Sequence, residues 1–248
     1  MQRLVHTVGQ LLLFGAAVTW GSWLSCAQAQ TRVAGSIGAT SDFVFRGLSY
    51  SRGDAAAQGS VDIELPSALA FGAFASSVNP NPGRSPNAEL DLWAAYGRSW
   101  NEWVATDLRY THYMYPDDPR VADYDRDELT ATLALRGSAF ISATFSPNTE
   151  AIAATPGFST GDTWALELSA RHSFSERWAI GAGIGRYFLE EIYGIDYDYW
   201  GATLSANFAP IELHLAVLGS DRAAERIFTS RSAGERVAVT ALYRFGPR

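Results

Sequence analysis

The chain has 248 residues, is 47% apolar and carries a formal charge of −7, with arginine supplying all 19 of its basic residues. That acidic balance argues against nucleic acid as a partner. A single cysteine, Cys26, excludes a disulfide framework, and no stretch after residue 30 is long enough for a membrane helix.

The first 29 residues read as a secretory signal peptide. Arg3 is the only charged residue before Arg32, Leu11 to Val18 form a compact apolar core, and Ala27-Gln28-Ala29 supplies a cleavage site. Cleavage after Ala29 would leave residues 30–248 as a mature chain without cysteine. A membrane-anchor helix or a lipoprotein signal at Cys26 would be the alternatives. The glycines at 9, 15 and 21 weaken the first, and the run before Cys26 weakens the second.

From residue 32 onward one pattern repeats: about ten alternating residues, a tight turn, about ten more, then a long polar loop. Twelve strands are predicted. The first covers 32–46. The second, 57–65, sets Val61, Ile63 and Leu65 against Gln58, Ser60, Asp62 and Glu64. The others fall at 68–78, 89–96, 103–115, 127–136, 139–146, 163–174, 178–188, 199–208, 211–219 and 236–245. Short turns are placed near Pro66, Asn101, Gly137, Glu176 and Pro210. Long loops are placed at 47–55, 79–87, 116–126, 148–162, 189–198 and 220–234.

Strict alternation of short and long connections, with an even strand count, is the pattern of an antiparallel transmembrane β-barrel. Such a chain is expected in the outer membrane, surrounded by lipid and lipopolysaccharide. Aromatics near the short turns (Tyr96, Trp100, Trp103, Phe174, Trp178, Phe208, Tyr243, Phe245) suit an inner girdle. Tyr113, Tyr115, Tyr187, Phe188, Tyr197 and Tyr199 are assigned to an outer one. A soluble sandwich or lipocalin-like barrel would also alternate. Loop asymmetry and aromatic placement favour the membrane barrel, which must close because no open sheet edge survives in lipid.

Period two then sorts the charged residues. Asp62, Glu64, Glu89, Asp91, Asp107, Arg109, Glu167, Arg171, Arg186, Glu212, Arg236 and Arg244 are the expected pore-lining positions. Arg46, beside the flexible Gly47, is either a cation at the outer rim or a buried arginine paired with Asp42 or Asp62.

The residues Ser41-Asp42-Phe43-Val44-Phe45-Arg46-Gly47-Leu48-Ser49-Tyr50-Ser51, then Ala56-Ala57-Gln58-Gly59 and the acidic strand Glu89 to Tyr96, carry a resemblance. They are similar to motifs of the proteobacterial TorF family of suspected porins, also catalogued as Gcw_chp proteins of unknown function. The resemblance implies an outer-membrane barrel and a pore, and it transfers no catalytic residue. One departure is at the C-terminus, where Gly246-Pro247-Arg248 follow Phe245 and displace the terminal aromatic that barrel-assembly machinery commonly reads.

Catalytic and metal chemistry find little support. His172 and Ser173 point to opposite faces of one strand, and His112 has no serine two residues away. His214 faces inward, where it could join Glu212. The acidic runs Asp117-Asp118, Asp123-Asp125-Asp127-Glu128 and Glu190-Glu191-Asp196-Asp198 lack the glycine and distal glutamate of a calcium loop. They read as solvated loops, with a weak divalent site near lipopolysaccharide as the alternative. No cofactor or metal is assigned. The functional expectation is a porin-like channel for passive diffusion of small solutes or ions. A plugged structural or adhesion barrel and a lipid-modifying enzyme are the alternatives.

Overall fold

The computed structural model describes residues 30–79, 86–116, 124–150 and 160–247. The signal-peptide reading of residues 1–29 lies outside them, as do Asp117, Asp118 and Asp123. The wall strands are β1 (Arg32–Thr40), β4 (Ala56–Glu64), β5 (Leu69–Ser77), β6 (Ala88–Ser99), β7 (Val104–Met114), β8 (Arg126–Leu135), β9 (Ala139–Thr149), β10 (Gly161–Ser173), β11 (Trp178–Phe188), β12 (Tyr197–Phe208), β13 (Ile211–Ser220) and β14 (Arg236–Phe245). They form one closed antiparallel barrel of twelve strands. Sequential neighbours pair throughout, and β1 closes the ring against β14 from Gly35↔Phe245 to Thr40↔Thr240. The fold class read from the sequence is the fold observed.

The outer wall is apolar. Val61, Ile63, Leu166, Leu168, Ile184, Leu215 and Val237 are all exposed, with Ile184 at 61%. An exposed band of this kind encircling a closed barrel is a lipid-facing surface, not a water-facing one. The aromatics assigned to the inner girdle are exposed at the short-turn end, led by Trp100 and Phe174, each 57% exposed. Arg98 and Arg136 stack on Trp100 and Trp103 there, at 4.3 and 3.5 Å from the ring centroids.

The outer girdle is different from the one expected. Tyr113, Tyr115, Tyr187, Tyr197 and Tyr199 are buried inside the barrel. Strand parity decides this, because each shares a face with inward residues such as Asp107, Arg109 and Thr203. Tyr110, Trp164 and Trp200 are the exposed outward aromatics of the upper wall.

The first strand and first loop also depart from expectation. β1 ends at Thr40, not at 46. Of residues 41–55, expected as strand end and outer loop, 42–51 instead turn into the barrel, while Gly53, Asp54 and Ala55 are exposed. Two short strands, β2 (Val44–Phe45) and β3 (Leu48–Ser49), pair as a hairpin. Its two central residues have positive φ, 47° at Arg46 and 73° at Gly47, which is the sign pattern of a type I′ turn. Phe43, Val44, Phe45, Arg46, Leu48, Ser49 and Ser51 are all buried.

Two short helices, α1 (Glu190–Tyr193) and α2 (Arg222–Ile227), sit in the last two long loops. The Asp221 side chain caps α2 by accepting from the amides of Ala223 and Ala224 at 2.9 and 3.1 Å.

The register is testable at adjacent positions of β10, where Leu166 faces out and Glu167 in. Leu166→Arg should cost about 2–4 kcal/mol if it lies near the bilayer midplane. Loss of the heat-modifiable folded band on electrophoresis is the expected readout, whereas Glu167→Gln should keep that band.

Candidate functional site: the barrel lumen and its inward hairpin

Closure leaves a lumen lined by every second residue of each strand. Eleven of the expected pore-lining residues take the inward face: Asp62, Glu64, Glu89, Asp91, Asp107, Arg109, Glu167, Arg171, Glu212, Arg236 and Arg244. Arg186 does not. The alternation that turns Gly181, Gly183 and Gly185 inward turns Arg186 outward, where it is half exposed and reaches Asp196 at 3.4 Å and Asp198 at 3.3 Å.

The hairpin divides this lumen. Phe43 packs on Phe74 of β5 and Phe45 on Tyr113 of β7, with ring centroids 5.8 and 6.0 Å apart. Val44 lies among Ala216 and Leu218 of β13 and Ala238 of β14. The Tyr197 hydroxyl of β12 donates to the Arg46 carbonyl at 3.0 Å. A Cβ on Gly47 would sit 2.6 Å from the Gly219 carbonyl oxygen. The hairpin therefore touches walls on opposite sides of the barrel, from β5 round to β14.

Charge holds it in place. Arg46 makes a two-pronged contact with Glu128 of β8, at 2.8 and 2.9 Å, and its guanidinium lies 4.7 Å from the Tyr187 ring centroid. Both partners are buried, so the two-pronged, charge-assisted contact must offset the cost of desolvating them. Arg46 is thus not a rim cation but a buried arginine paired with a carboxylate, as the second expectation had it, with Glu128 as the partner in place of Asp42 or Asp62. The turn carries it across the lumen to the far wall, beyond reach of its sequence neighbours.

Asp42 has a different task. It accepts hydrogen bonds from the Ser49 hydroxyl, the Ser51 hydroxyl (3.0 Å) and the Gly53 amide (3.3 Å), and it pairs with Arg236 of β14 at 2.9 Å. One carboxylate therefore gathers both legs of the hairpin and ties its base to the last strand. The physical content of the sequence run 41–53 is this knot. The one local signal for it was Gly47, since the second central position of a type I′ turn favours glycine; Arg46 at the first is not a usual turn residue.

Sequence reasoning also missed Arg126 and Glu128. Both stand at the start of β8 on its inward face, while Asp127 between them points out. Asp127 accepts from Asn148 at 3.0 Å and lies 2.8 Å from His112. The apparent acidic run is therefore split by strand alternation. Among the described residues no group of three histidine, cysteine or acidic side chains is placed to hold a metal ion.

Below the hairpin the lining is polar. Hydroxyls pair across strands: Thr130 with Thr144, Thr132 with Ser142 and Ser36 with Ser60, each at 2.9 Å. Arg109 stacks over Trp93 at 4.1 Å, and Arg244 meets Glu212 at 2.7 Å. Gly185 is small because the Tyr199 ring lies over it, 2.4 Å from where a Cβ would be.

His214 Nδ1 meets the Ser205 hydroxyl at 2.9 Å, a pairing across strands that the sequence does not announce. Its other nitrogen is 3.7 Å from Glu212, too long for an orienting hydrogen bond. Arg244 holds that carboxylate instead. This geometry makes a polar wall, not an assembled nucleophile and base.

A family model described as a bacterial protein of unknown function, Gcw_chp, matches residues 25–244. The chain belongs to that family. No curated protein matches it. Among solved structures, the KdgM porin superposes with a TM-score of 0.53 at 9% identity, covering 86% of this chain and 99% of that one. The NanC porin gives 0.57 at 7% identity, with 85% and 98% covered. The COG4313 outer membrane channel from Pseudomonas putida F1 gives 0.53 at 10% identity, with 90% and 97% covered. At such identities the likeness is one of fold. All three are barrels that this chain spans nearly whole.

The buried pair at the hairpin tip should dominate its stability. Glu128→Gln strands two guanidinium groups, and breaking a buried pair costs about 3–5 kcal/mol. Unfolding in urea should start at clearly lower concentration for this variant. The double variant Arg46→Met with Glu128→Met should recover most of the loss.

Proposed function

We propose that the protein is a porin-type channel of the outer membrane, exported by a signal peptide over residues 1–29, whose outer half is closed at rest by the inward hairpin. The observation that carries this reading is the pairing of an apolar outer wall with a polar, charged interior. A barrel stabilised only as a scaffold has no need for charged lumen residues such as Asp62, Asp107, Arg109 and Arg171. Twelve strands also enclose more than the side-chain-filled interior of an eight-stranded barrel. Small polar solutes or ions are the cargo that a mixed lining of this kind suits. The TorF designation fits the same reading.

The hairpin favours a second reading, the plugged structural barrel. The contacts of residues 43–50 reach opposing walls of the lumen, from Phe74 of β5 to Ala238 of β14. The two readings differ in what happens when the hairpin is removed. In planar bilayers the wild type should pass little current. A variant in which residues 43–50 are replaced by a short glycine-serine linker should conduct several-fold more. Loss of the hairpin with no gain in current, in a barrel that still folds, would leave the structural reading standing.

Selectivity gives a further check. Replacing Arg109 and Arg171 by glutamine leaves an acidic surplus below the hairpin. Cation preference, read as the reversal potential in a salt gradient, should rise, and most at low ionic strength where the charges are least screened. An unchanged reversal potential would remove these arginines from the permeation path.

A further inference from the structure

The short-turn end of the outer wall differs from one sector to the next. At the β6–β7 and β8–β9 turns, two arginines stand on two tryptophans. Arg98, on the outward face of β6 with Leu92 and Tyr96, lies 4.3 Å from the Trp100 ring centroid, and Arg136 lies 3.5 Å from that of Trp103. Among the described residues no other arginine stacks on a ring at this end. Trp178, at the β10–β11 turn, packs edge-on against Phe208 instead, at 6.1 Å. All four side chains of the cluster are exposed, Trp100 by 57% and Trp103 by 45%.

Hydrogen bonds hold the rings in place. The Trp100 indole Nε1 donates to the Thr106 hydroxyl at 2.9 Å, and the Trp103 indole Nε1 to Glu102 at 3.0 Å. The Asn101 side chain accepts from the amides of Trp103 and Val104 at 2.8 and 2.9 Å, which pins the turn between the two rings. The Arg136 amide donates to the Trp103 carbonyl at 2.7 Å, so the two turns are joined. Arg136 has a φ of 52° and Gly137 of 62°, the sign pattern of a type I′ turn, whose first central position suits asparagine or glycine. Arginine there accepts backbone strain and gains the contact with Trp103.

The guanidinium groups lack a carboxylate. Neither Arg98 nor Arg136 takes part in an ion pair among the described residues, whereas Arg46, Arg236 and Arg244 in the lumen meet Glu128, Asp42 and Glu212. Glu102 is the one acid of the β6–β7 turn, and one of its oxygens is taken by the Trp103 indole. Two cations against one anion leave the cluster positive. Tryptophan in a barrel girdle sits at the level of the lipid head groups, so the stacks hold both guanidinium groups at the level of the lipid phosphates. Phosphate is a strong, two-pronged partner for arginine.

We propose that Arg98, Trp100, Trp103 and Arg136 form a docking surface for an anionic phospholipid of the periplasmic leaflet, whose phosphate the guanidinium groups take while its glycerol and upper acyl chains lie against the exposed indoles. A zwitterionic lipid carries an ammonium beside its phosphate, which a positive cluster repels, so the surface selects for net negative charge. It lies on the outer wall and stands whether or not the barrel conducts.

Native mass spectrometry of the folded protein released from detergent tests the proposal, with phosphatidylglycerol and phosphatidylcholine of identical acyl chains as the probes. Phosphatidylglycerol adducts should be favoured at least about fivefold, the factor that one basic residue at an anionic surface supplies. The double variant Arg98→Gln with Arg136→Gly should bring the two lipids level. Glycine suits the turn at 136, so Arg136→Gly alone should keep the heat-modifiable folded band while lowering the preference. Arg177→Gln removes an equal charge from the β10–β11 turn and should leave the preference unchanged. Equal adducts of the two lipids on the wild type would reduce the cluster to an aromatic girdle and overturn the proposal. A loss with Arg177→Gln as large as with the double variant would overturn it too, by making the preference one of overall charge. Competition by glycerol 3-phosphate at the same concentration as the lipid would overturn the lipid assignment in favour of a free phosphate.

Discussion

The constraint on which everything else rests is that no backbone amide or carbonyl can face lipid unpaired. It forces β1 onto β14, and that single seam turns a twelve-stranded meander into a closed wall. Closure then fixes an inside and an outside. Period-two alternation sends Leu166 to one and Glu167 to the other, and a slip of one residue would exchange them. The apolar belt and the polar lumen are therefore two consequences of one seam. The seam is also where the inward hairpin is anchored, because Asp42, two residues past β1, is bound to Arg236 at the start of β14.

A closed wall of this size creates the problem that the hairpin solves. Its interior is too wide for the short inward side chains of the wall, such as Gly183, Thr203 and Ser205, to meet. Residues 42–51 supply the missing volume at the outer level, with aromatic side chains against β5 and β7 and small packing against β13 and β14. Arg46 then needs a carboxylate on the opposite wall, and Glu128 provides it. Arg126 shares that carboxylate at 3.5 Å and donates to the Tyr115 hydroxyl near the outer mouth. Structure at the mouth is thus linked through one ion pair to packing in the middle of the barrel.

Much of this was legible in the sequence because strand alternation is local. The short turns near Pro66, Asn101, Gly137, Glu176 and Pro210 all join neighbouring wall strands, and the charges at 62, 64, 89, 91, 107 and 109 all face inward. The errors share a cause. Tyr113, Tyr187 and Tyr199 were read by residue type as interfacial aromatics, when parity with Arg109, Gly185 and Thr203 placed them inside. Arg186 was read as luminal although its own strand turned three glycines the other way. Arg46 found its partner 82 residues later in the chain, on β8, which no local pattern reveals. The Ser205–His214 contact is of the same kind, since it depends on the register between β12 and β13.

The central claim is that residues 42–51 belong to the interior and are not a surface loop. Amide hydrogen exchange of the intact protein in detergent tests it directly. The Ser49 amide donates to the Ser232 carbonyl, and the Tyr50 amide to that of Phe43, each at 2.7 Å. Peptides spanning these amides should exchange as slowly as those of the wall strands β12 and β13. Exchange as fast as an unstructured loop, in a protein whose wall strands remain protected, would contradict the account.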